Sequence, residues 1–377
     1  MRRNGWIAMG CAVLGVCAVC VGDVEAQLPP VPAGATSVAQ GLFGPRGLKF
    51  GPDGSLYVAT SGAGPWTTAT CSSVPGGPYF GAATPSGSAT ILKIDSHGNV
   101  TTLASGFSST FNPPTGSALG VADLAFLNGE LYAVTAGGGC GHGNPSQPNM
   151  VTKVDTTTGQ WTMVADMSAA VAATPAANVD AGDFQPDGDF YSLIAVRGKL
   201  YTVEPNHGQV WSVTKKGDVE MVTDISLLEG HIVPTAAVNS DGGLLVSNLG
   251  EFPITPNASH LLALRPGCGD GTGYAVLNCG PGTLNVASSS EPGLTTVVSM
   301  AWGPDGLLYV LELSDAAGFP NPGAGKVVRV RNGAAEDVVT GLSVPTGMTF
   351  GPDGSLYVSN WGAAPAPIGQ ILRYSVQ

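Results

Sequence analysis

Six segments of the chain repeat one pattern of apolar and polar positions. Each begins with a short apolar strand, passes through a turn of Asp-Gly, Asn-Gly or Arg-Gly type, and ends with a strand of alternating apolar residues. This pattern is a strong local signal for a β-hairpin. The six segments are GLKFGPDGSLYV (47–58), DLAFLNGELYAV (123–134), SLIAVRGKLYTV (192–203), TAAVNSDGGLLV (235–246), SMAWGPDGLLYV (299–310) and GMTFGPDGSLYV (347–358).

The spacing of these hairpins predicts a repeat architecture. Their equivalent positions recur at intervals of 44 to 75 residues, 60 on average, which is long enough for four strands and their loops. Second hairpins follow at 91–104, 150–165, 209–223 and 326–339. Six such units without helical crossovers predict an all-β, six-bladed β-propeller with four-stranded antiparallel blades. The uneven spacing leaves separate sandwiches, or five or seven blades, as alternatives.

The two ends of the repeat region are expected to meet in one blade. Residues 37–42 (SVAQGL) resemble residues 337–342 (DVVTGL), which form the outer strand leading into the last unit, and the last unit itself is one strand short. We therefore expect the ring to be closed by an N-terminal strand.

The first 26 residues have the layout of a secretory signal peptide. Arg2 and Arg3 precede an apolar run, and a small-x-small site ends at Ala26, which predicts cleavage there and one propeller domain over 27–377. An uncleaved membrane anchor is the alternative, and no other segment is expected to span a membrane. We therefore expect the protein to be secreted, either to the periplasm or outside the cell.

Four of the seven cysteines remain after the predicted cleavage, in a chain expected to enter an oxidising compartment. Cys71 and Cys140 fall in loops of neighbouring units, whereas Cys268 and Cys279 share one glycine-rich stretch. Of the three possible pairings we expect Cys71 with Cys140 and Cys268 with Cys279. Free thiols are the alternative.

The composition narrows the classes of partner. Charged residues make up only 11% of the chain, and 55 Gly with 29 Pro indicate a turn-rich protein rather than a helical bundle or a coiled coil. The net charge of −12 would repel a phosphate backbone, so nucleic acid is not expected as a partner. A small molecule, a glycan or a protein is expected instead.

The long, irregular segments are expected on one face of the propeller, opposite the Pro-Asp-Gly turns. Binding residues are common in long loops on a rigid scaffold, which favours a site at the mouth of the central channel on this face. The candidate ligand-binding residues are Arg46, Asp123, Asn206, Asn248, Glu312 and Asn360. Three of them, with Glu204, occupy the position three after the repeated tyrosine or leucine, so the alternative is that they bond loop backbone within the blade.

The most concentrated polar chemistry lies in EPNHG (204–208) and GHIVPT (230–235). Glu204, His207 and His231 are candidate catalytic residues, since a carboxylate beside two imidazoles can act as a general base or bind a divalent metal. The alternative is a tight turn at His207 and a backbone contact for His231. No other standard hydrolase or nucleotide-binding signature is present.

An acidic run in the loop 176–190 suits a hard cation. Asp180, Asp183 and Asp187 are weak candidates for metal ligands, and with Asp189 they place oxygen atoms at short intervals, as Ca²⁺ requires. The spacing does not fit an EF-hand, and a solvated acidic loop is the alternative. A cofactor is otherwise not specified, although Ca²⁺ or another divalent metal is compatible with the run.

The repeat G-x-x-F-G-P-D-G-x-L-Y-V resembles that of propellers of the NHL and gluconolactonase-like superfamily. Residues 183–210, the segment 230–238 and the Phe252-Pro253 pair resemble the ScyD/ScyE family of secreted propellers. That resemblance implies a secreted six-bladed propeller with a poorly defined activity.

Gluconolactonase-like enzymes hold a divalent metal at the channel mouth with Glu, Asn and Asp. The matching positions of this sequence are mainly other residue types, so the resemblance does not extend to that metal. These positions are Arg46, Ala122, Tyr191, Thr235, Val298 and Thr346.

The sequence therefore favours a secreted propeller that binds a small molecule, a glycan or a protein on its long-loop face. The alternative is a metal-assisted hydrolase or lyase with its site at the channel mouth, so enzymatic activity is left open.

Overall fold

The computed structural model describes residues 28–82, 88–266 and 284–376. The predicted signal peptide and the predicted Cys268–Cys279 pair lie outside the described residues.

The described chain is built almost entirely from short strands. The two α-helices are α1 (Met167–Ala173) and α2 (Ser226–Glu229), with a 3-10 helix at Cys140–His142. The strands are β1 (Ala35–Leu42), β2 (Pro45–Phe50), β3 (Leu56–Thr60), β4 (Trp66–Ala69), β5 (Phe80–Ala82), β6 (Ala89–Ile94), β7 (Val100–Phe107), β8 (Thr110–Asn112), β9 (Ser117–Leu119), β10 (Val121–Leu127), β11 (Glu130–Thr135), β12 (Met150–Val154), β13 (Trp161–Asp166), β14 (Ser192–Val196), β15 (Lys199–Glu204), β16 (Gln209–Val213), β17 (Val219–Asp224), β18 (Pro234–Ser240), β19 (Gly243–Asn248), β20 (Ser259–Pro266), β21 (Leu284–Leu294), β22 (Val297–Trp302), β23 (Leu308–Glu312), β24 (Gly325–Arg331), β25 (Ala334–Leu342), β26 (Gly347–Phe350), β27 (Leu356–Asn360) and β28 (Gly369–Tyr374).

These strands form seven four-stranded antiparallel sheets, one more than the six blades predicted. Six sheets contain the repeated hairpins: sheet 1 (β2, β3, β6, β7), sheet 2 (β10 to β13), sheet 3 (β14 to β17), sheet 4 (β18 to β21), sheet 5 (β22 to β25) and sheet 6 (β26, β27, β28, β1). All six predicted first hairpins, and the four predicted second hairpins, are confirmed by the strand pairing.

The N-terminal strand lies in the same sheet as the last three strands. β1 pairs antiparallel with β28, with Ser37 opposite Leu372 and Ala39 opposite Ile371. The N-terminal segment thus supplies the fourth strand of sheet 6.

The seventh sheet, which we call the insert sheet, was not predicted. It consists of β4, β5, β8 and β9, and its strands come from the connection between β3 and β6 and from the connection between sheets 1 and 2. Residues 60–90, which we expected to be irregular, therefore contain two short strands. The expected absence of helices between blades is also wrong at α1, where Asp166 caps the helix by accepting a hydrogen bond from Ala169 N.

The repeated Pro-Asp-Gly motif is explained by its side-chain contacts. In the first copy, Asp53 Oδ1 accepts a hydrogen bond from Ser55 N, while Asp53 Oδ2 accepts one from the Tyr57 hydroxyl at 3.0 Å. Lys93 on the third strand forms an ion pair with Asp53 at 2.8 Å. A Cβ at Gly51 would lie 2.6 Å from the Tyr57 ring, so the motif needs glycine there. The turn and its second strand are therefore joined through one aspartate.

The core is divided between the sheets. Six clusters of buried apolar residues each lie between two sheets that follow one another, and one of them joins sheet 6 to sheet 1 through Ala39, Leu42, Leu48, Leu56 and Ile371. The first strands of the six sheets also contact one another in succession, and β26 contacts β2. Over the described ranges, no helix has the length and apolar character needed to cross a membrane.

Candidate functional site

The first strands of the six sheets surround a narrow central cavity. It has a volume of about 20 Å³, which holds a water molecule but no organic ligand. The polar side chains in its lining include Lys49, Asp123 and Ser192. A ligand larger than water therefore does not fit inside this cavity. At one end of it, the connections between sheets enter the first strands. We call the residues at these entrances (Arg46, Ala122, Tyr191, Thr235, Val298 and Thr346) the channel mouth.

Arg46 is the one cation of the channel mouth. It is only 5% exposed, and its guanidinium lies over the Tyr191 ring, 5.2 Å from the ring centroid. Within the described part of the chain, its only side-chain hydrogen bond is a long one from Nη1 to Ala118 O at 3.5 Å, and Nε has no partner. A buried guanidinium with unpaired donors is available to an oxygen ligand.

Asp189 is a carboxylate that is influenced by the charge of Arg46, although the two side chains do not form an ion pair. Its backbone N–H donates to Glu204 Oε1, but its carboxylate has no hydrogen bond among the described residues. Burial raises the pKa of Asp189 to about 7; the Arg46 charge opposes that rise, and the charges of Glu204 and Asp183 add to it. Burial also raises the pKa of Tyr191 to about 12, so this phenol is neutral at physiological pH. The sequence shows Asp189 only as part of an acidic run, and the influence of Arg46 on it is visible only in the fold.

Asp123 is fixed by backbone donors at the side of the channel. Oδ1 accepts a hydrogen bond from Leu124 N, and Oδ2 accepts one from Leu193 N in the next sheet. Burial raises the pKa of Asp123 despite the nearby Lys49 charge. A Cβ at Gly47 would lie 2.0 Å from Asp123 Oδ1, so a glycine is needed for this approach. Asp123 thus links sheets 2 and 3.

The position three after the repeated tyrosine or leucine bonds backbone in all six sheets, which confirms the structural interpretation. The four carboxylate and amide side chains at this position accept hydrogen bonds from backbone N–H groups, and the two threonines bond backbone through their hydroxyls. Glu204 accepts hydrogen bonds from the N–H groups of Asp189, Asn206 and His207, Asn248 accepts one from His260 N, and Asn360 accepts one from Ser343 N. Glu312 accepts one from Thr295 N, and Thr60 and Thr135 bond the backbone of Thr90 and Met150.

The two candidate histidines have different partners. His207 Nε2 lies 2.9 Å from Gln185 O, and its ring stacks on Phe184. His231 Nε2 lies 3.0 Å from Asp183 Oδ2, and this hydrogen bond raises the pKa of His231. The Glu204 carboxylate binds the backbone N–H of His207 rather than either imidazole ring. The three candidate catalytic side chains therefore do not form one hydrogen-bonded group.

The aspartates of the acidic run have different hydrogen-bond partners. Asp180 accepts a hydrogen bond from Gly182 N, Asp183 binds His231 and Asn206, and Asp187 accepts one from Gly141 N in the 3-10 helix. The expected cluster of Asp180, Asp183 and Asp187 as shared ligands is not formed. Asp180 instead lies with His231 and Glu251, a residue that sequence analysis did not identify.

The insert is joined by a disulfide to the 3-10 helix between β11 and β12, and by hydrogen bonds to the connection that carries the acidic run. Cys71 is bonded to Cys140, as predicted. Gln185 Nε2 donates to Pro75 O and to the Tyr79 hydroxyl, which ties the acidic connection to the insert. The acidic connection is therefore packed against the insert on the same face as Arg46.

No family model matches the chain, and no curated protein matches it. Solved structures do match. The aldose sugar dehydrogenase of Streptomyces coelicolor in its PQQ-bound form has 15% identity and a TM-score of 0.51, over 92% of this chain and 99% of that one. A candidate gluconolactonase has 13% identity and a TM-score of 0.52, over 93% and 95%. A protein of unknown function from Bacteroides thetaiotaomicron has 11% identity and a TM-score of 0.53, over 91% and 72%. At this level of identity the likeness shows that the chain has a propeller fold.

Proposed function

We propose that this protein is a secreted six-bladed propeller, related to the ScyD/ScyE family, that binds a small anionic molecule at the channel mouth. The observation that carries the proposal is the Arg46 guanidinium, buried at the centre of the long-loop face with its donors almost unused. Arginine presents a planar set of N–H donors that matches a carboxylate. Asp189 and Tyr191 beside it supply further polar contacts for a ligand that also carries hydroxyl groups.

We infer that the ring has six blades and that the insert sheet is an addition to it. Sheets 1 to 6 each contain one repeated hairpin and share apolar clusters with their neighbours, whereas the insert sheet is built from loops. The antiparallel pairing of β1 with β28 supports ring closure by the N-terminal strand. The Cys71–Cys140 disulfide supports secretion, since disulfides persist in oxidising compartments.

The alternative of a hydrolase or lyase that uses Glu204, His207 and His231 has less support. All three backbone donors around Glu204 point at its carboxylate, and this arrangement holds the turn in place rather than leaving a base free for substrate. The net charge of −12 continues to disfavour nucleic acid as the partner.

The binding proposal is tested with sugar acids and aromatic carboxylates as probes. Isothermal titration would compare gluconate, glucuronate and benzoate derivatives with neutral analogues of the same size. We expect at least one acid to bind wild type and to bind Arg46→Gln at least about 10-fold more weakly, because a charge-assisted pair is lost. Arg331→Gln, which removes a half-exposed arginine elsewhere, is the matched control and should bind like wild type.

Two results would overturn the proposal. One is that no acid in the panel binds at millimolar concentration. The other is binding that Arg46→Gln leaves unchanged. Arg46→Lys, which keeps the charge but not the planar fork, covers the case in which Arg46→Gln does not fold.

A further inference from the structure

Three connections on the long-loop face bring together a histidine and two carboxylates. Asp180 lies in the connection between α1 and β14, His231 in the connection between α2 and β18, and Glu251 three residues after the end of β19. One nitrogen or oxygen atom from each residue lies within 4.8 Å of the corresponding atoms of the other two. We call these three residues the rim cluster. It is separate from the channel mouth, whose lining does not include them.

His231 is the buried member of the rim cluster. Its side chain is 7% exposed, and Nε2 is hydrogen-bonded to Asp183 Oδ2 at 3.0 Å. Nδ1 is shielded from solvent and has no hydrogen-bond partner. In the neutral imidazole, donation from Nε2–H to this carboxylate leaves Nδ1 with its lone pair, the form in which histidine binds a metal. A buried nitrogen without a partner calls for an explanation, and a missing ion is one of the few available.

The contact with Asp183 has the form found around metal-binding histidines. Such histidines almost always donate their second ring N–H to a carboxylate or a carbonyl, which fixes the tautomer and the ring orientation. Asp183 is itself held by Asn206, whose Nδ2 donates to both its carbonyl and its carboxylate oxygen. The imidazole is thus held in place by residues that are not members of the rim cluster.

The carboxylates complete the donor set. Asp180 Oδ1 is fixed by a hydrogen bond from Gly182 N at 2.6 Å. Glu251 is exposed, so its side chain has the freedom to close over an ion. One imidazole nitrogen with two carboxylate oxygens suits Zn²⁺ with water as the fourth ligand, whereas Ca²⁺ takes oxygen ligands almost exclusively.

We propose that the rim cluster binds one divalent transition-metal ion, with zinc as the favoured ion, through His231, Asp180 and Glu251. The ion would join the connection that carries Asp180 to the loop after β19. This proposal does not depend on the ligand proposed for the channel mouth. The connection that carries Asp180 also carries Asp187 and Asp189. A bound ion would therefore restrain the part of the chain that carries Asp189.

The test measures metal binding directly, with a protein that carries no histidine tag. Chelator-treated protein would be titrated with ZnCl₂ by calorimetry and with CoCl₂ by visible absorption, since tetrahedral cobalt absorbs strongly. We expect one ion per chain in wild type, loss of binding in His231→Ala, and affinities lower by about 10-fold or more in Asp180→Asn and Glu251→Gln. Asp183→Asn should weaken binding by about 10- to 100-fold, as other partners of metal-binding histidines do.

His260→Ala is the matched control. His260 also lies between two carboxylates, with Nδ1 3.6 Å from Glu229 and Nε2 3.9 Å from Glu291, but it is outside the rim cluster. It should bind zinc like wild type. The proposal is overturned if wild type binds neither ion, or if His231→Ala binds as wild type does, or if His260→Ala loses binding equally.

Glu251→Gln decides the question if His231→Ala does not fold, because Glu251 is exposed and its loss should leave the fold intact. Calorimetry with the carboxylate probes is run on the same variants. Zinc binding without carboxylate binding would support the rim cluster alone, and the reverse would support the channel mouth alone.

Discussion

At the scale of single residues, the carboxylates on the long-loop face are of two kinds. Glu204 and Asp123 accept backbone N–H groups and serve the fold, whereas Asp189 has no hydrogen bond to its carboxylate among the described residues. A half-buried carboxylate without donors lowers stability when it ionises, and such sites are where proteins give up stability for function.

Asp189→Asn is expected to make the protein more stable at pH 8 and to change little at pH 4. The folded-state pKa is about 7, above the ordinary value of 3.8, so the folded protein loses stability relative to the unfolded chain as pH rises between these values. The neutral asparagine removes that loss. Urea unfolding at pH 4, 6 and 8 would measure it.

Asp187→Asn is the matched control for Asp189→Asn, since Asp187 accepts a hydrogen bond from Gly141 N. It should lower the free energy of unfolding by about 1 kcal/mol at neutral pH. An Asp189→Asn variant that is less stable than wild type at pH 8 would show that the carboxylate is needed for folding.

At the scale of the strand and turn, the repeated hairpin explains why so much of the fold can be predicted from sequence. Gly51, Asp53 and Tyr57 lie within seven residues of one another and are in contact. The hydrogen bond from the tyrosine hydroxyl to the aspartate recurs between Tyr309 and Asp305 and between Tyr357 and Asp353. Local turn chemistry of this kind is visible in one sequence. The insert sheet is not, because β4 and β5 are only four and three residues long and β5 pairs with β8, some thirty residues away.

Asp53→Asn is expected to lower the free energy of unfolding by about 1 kcal/mol at neutral pH, because the ion pair with Lys93 and the hydrogen bond from Tyr57 lose the carboxylate charge. Burial raises the pKa of Asp53, but Lys93, Ser55 N–H and the Tyr57 hydroxyl outweigh it and bring the pKa to about 2. The stabilisation is complete above the unfolded value near 4 and is lost as pH falls toward 2.

The difference in stability between wild type and Asp53→Asn should therefore disappear in acid. Thermal unfolding at pH 7, 4 and 2.5 would measure it. Asp241→Asn is the control, since Leu245 stands at the tyrosine position of that hairpin and no hydroxyl contact exists there. Equal losses in both variants would assign the effect to the turn alone.

At the scale of the whole molecule, the candidate sites are the part that sequence analysis predicted least well. The register of the repeats placed Arg46 at the entrance of a first strand, and the structure places it there. The influence of Arg46 on Asp189, and the proximity of Glu251 to His231, depend on how connections of different sheets fold over the face. No periodicity within one connection contains that information, because such loops have no regular pattern of burial.

The pairing of the N-terminal strand with the last strand joins the two ends of the chain and gives the last prediction. β1 covers the edge of β28 and places Ala39 and Leu42 in the apolar cluster between sheets 6 and 1. Removal of residues 28–42 would expose that edge and that cluster at once, and an uncovered edge strand promotes aggregation. We expect the truncated protein to unfold at least 10 °C below wild type by calorimetry and to aggregate. Removal of residues 28–33, which precede β1, is the control and should shift the midpoint by only a few degrees. Addition of a peptide of residues 33–44 should restore part of the stability, because the vacant edge offers the same backbone partners. A truncated protein that keeps the wild-type midpoint would show that the ring does not depend on its N-terminal strand.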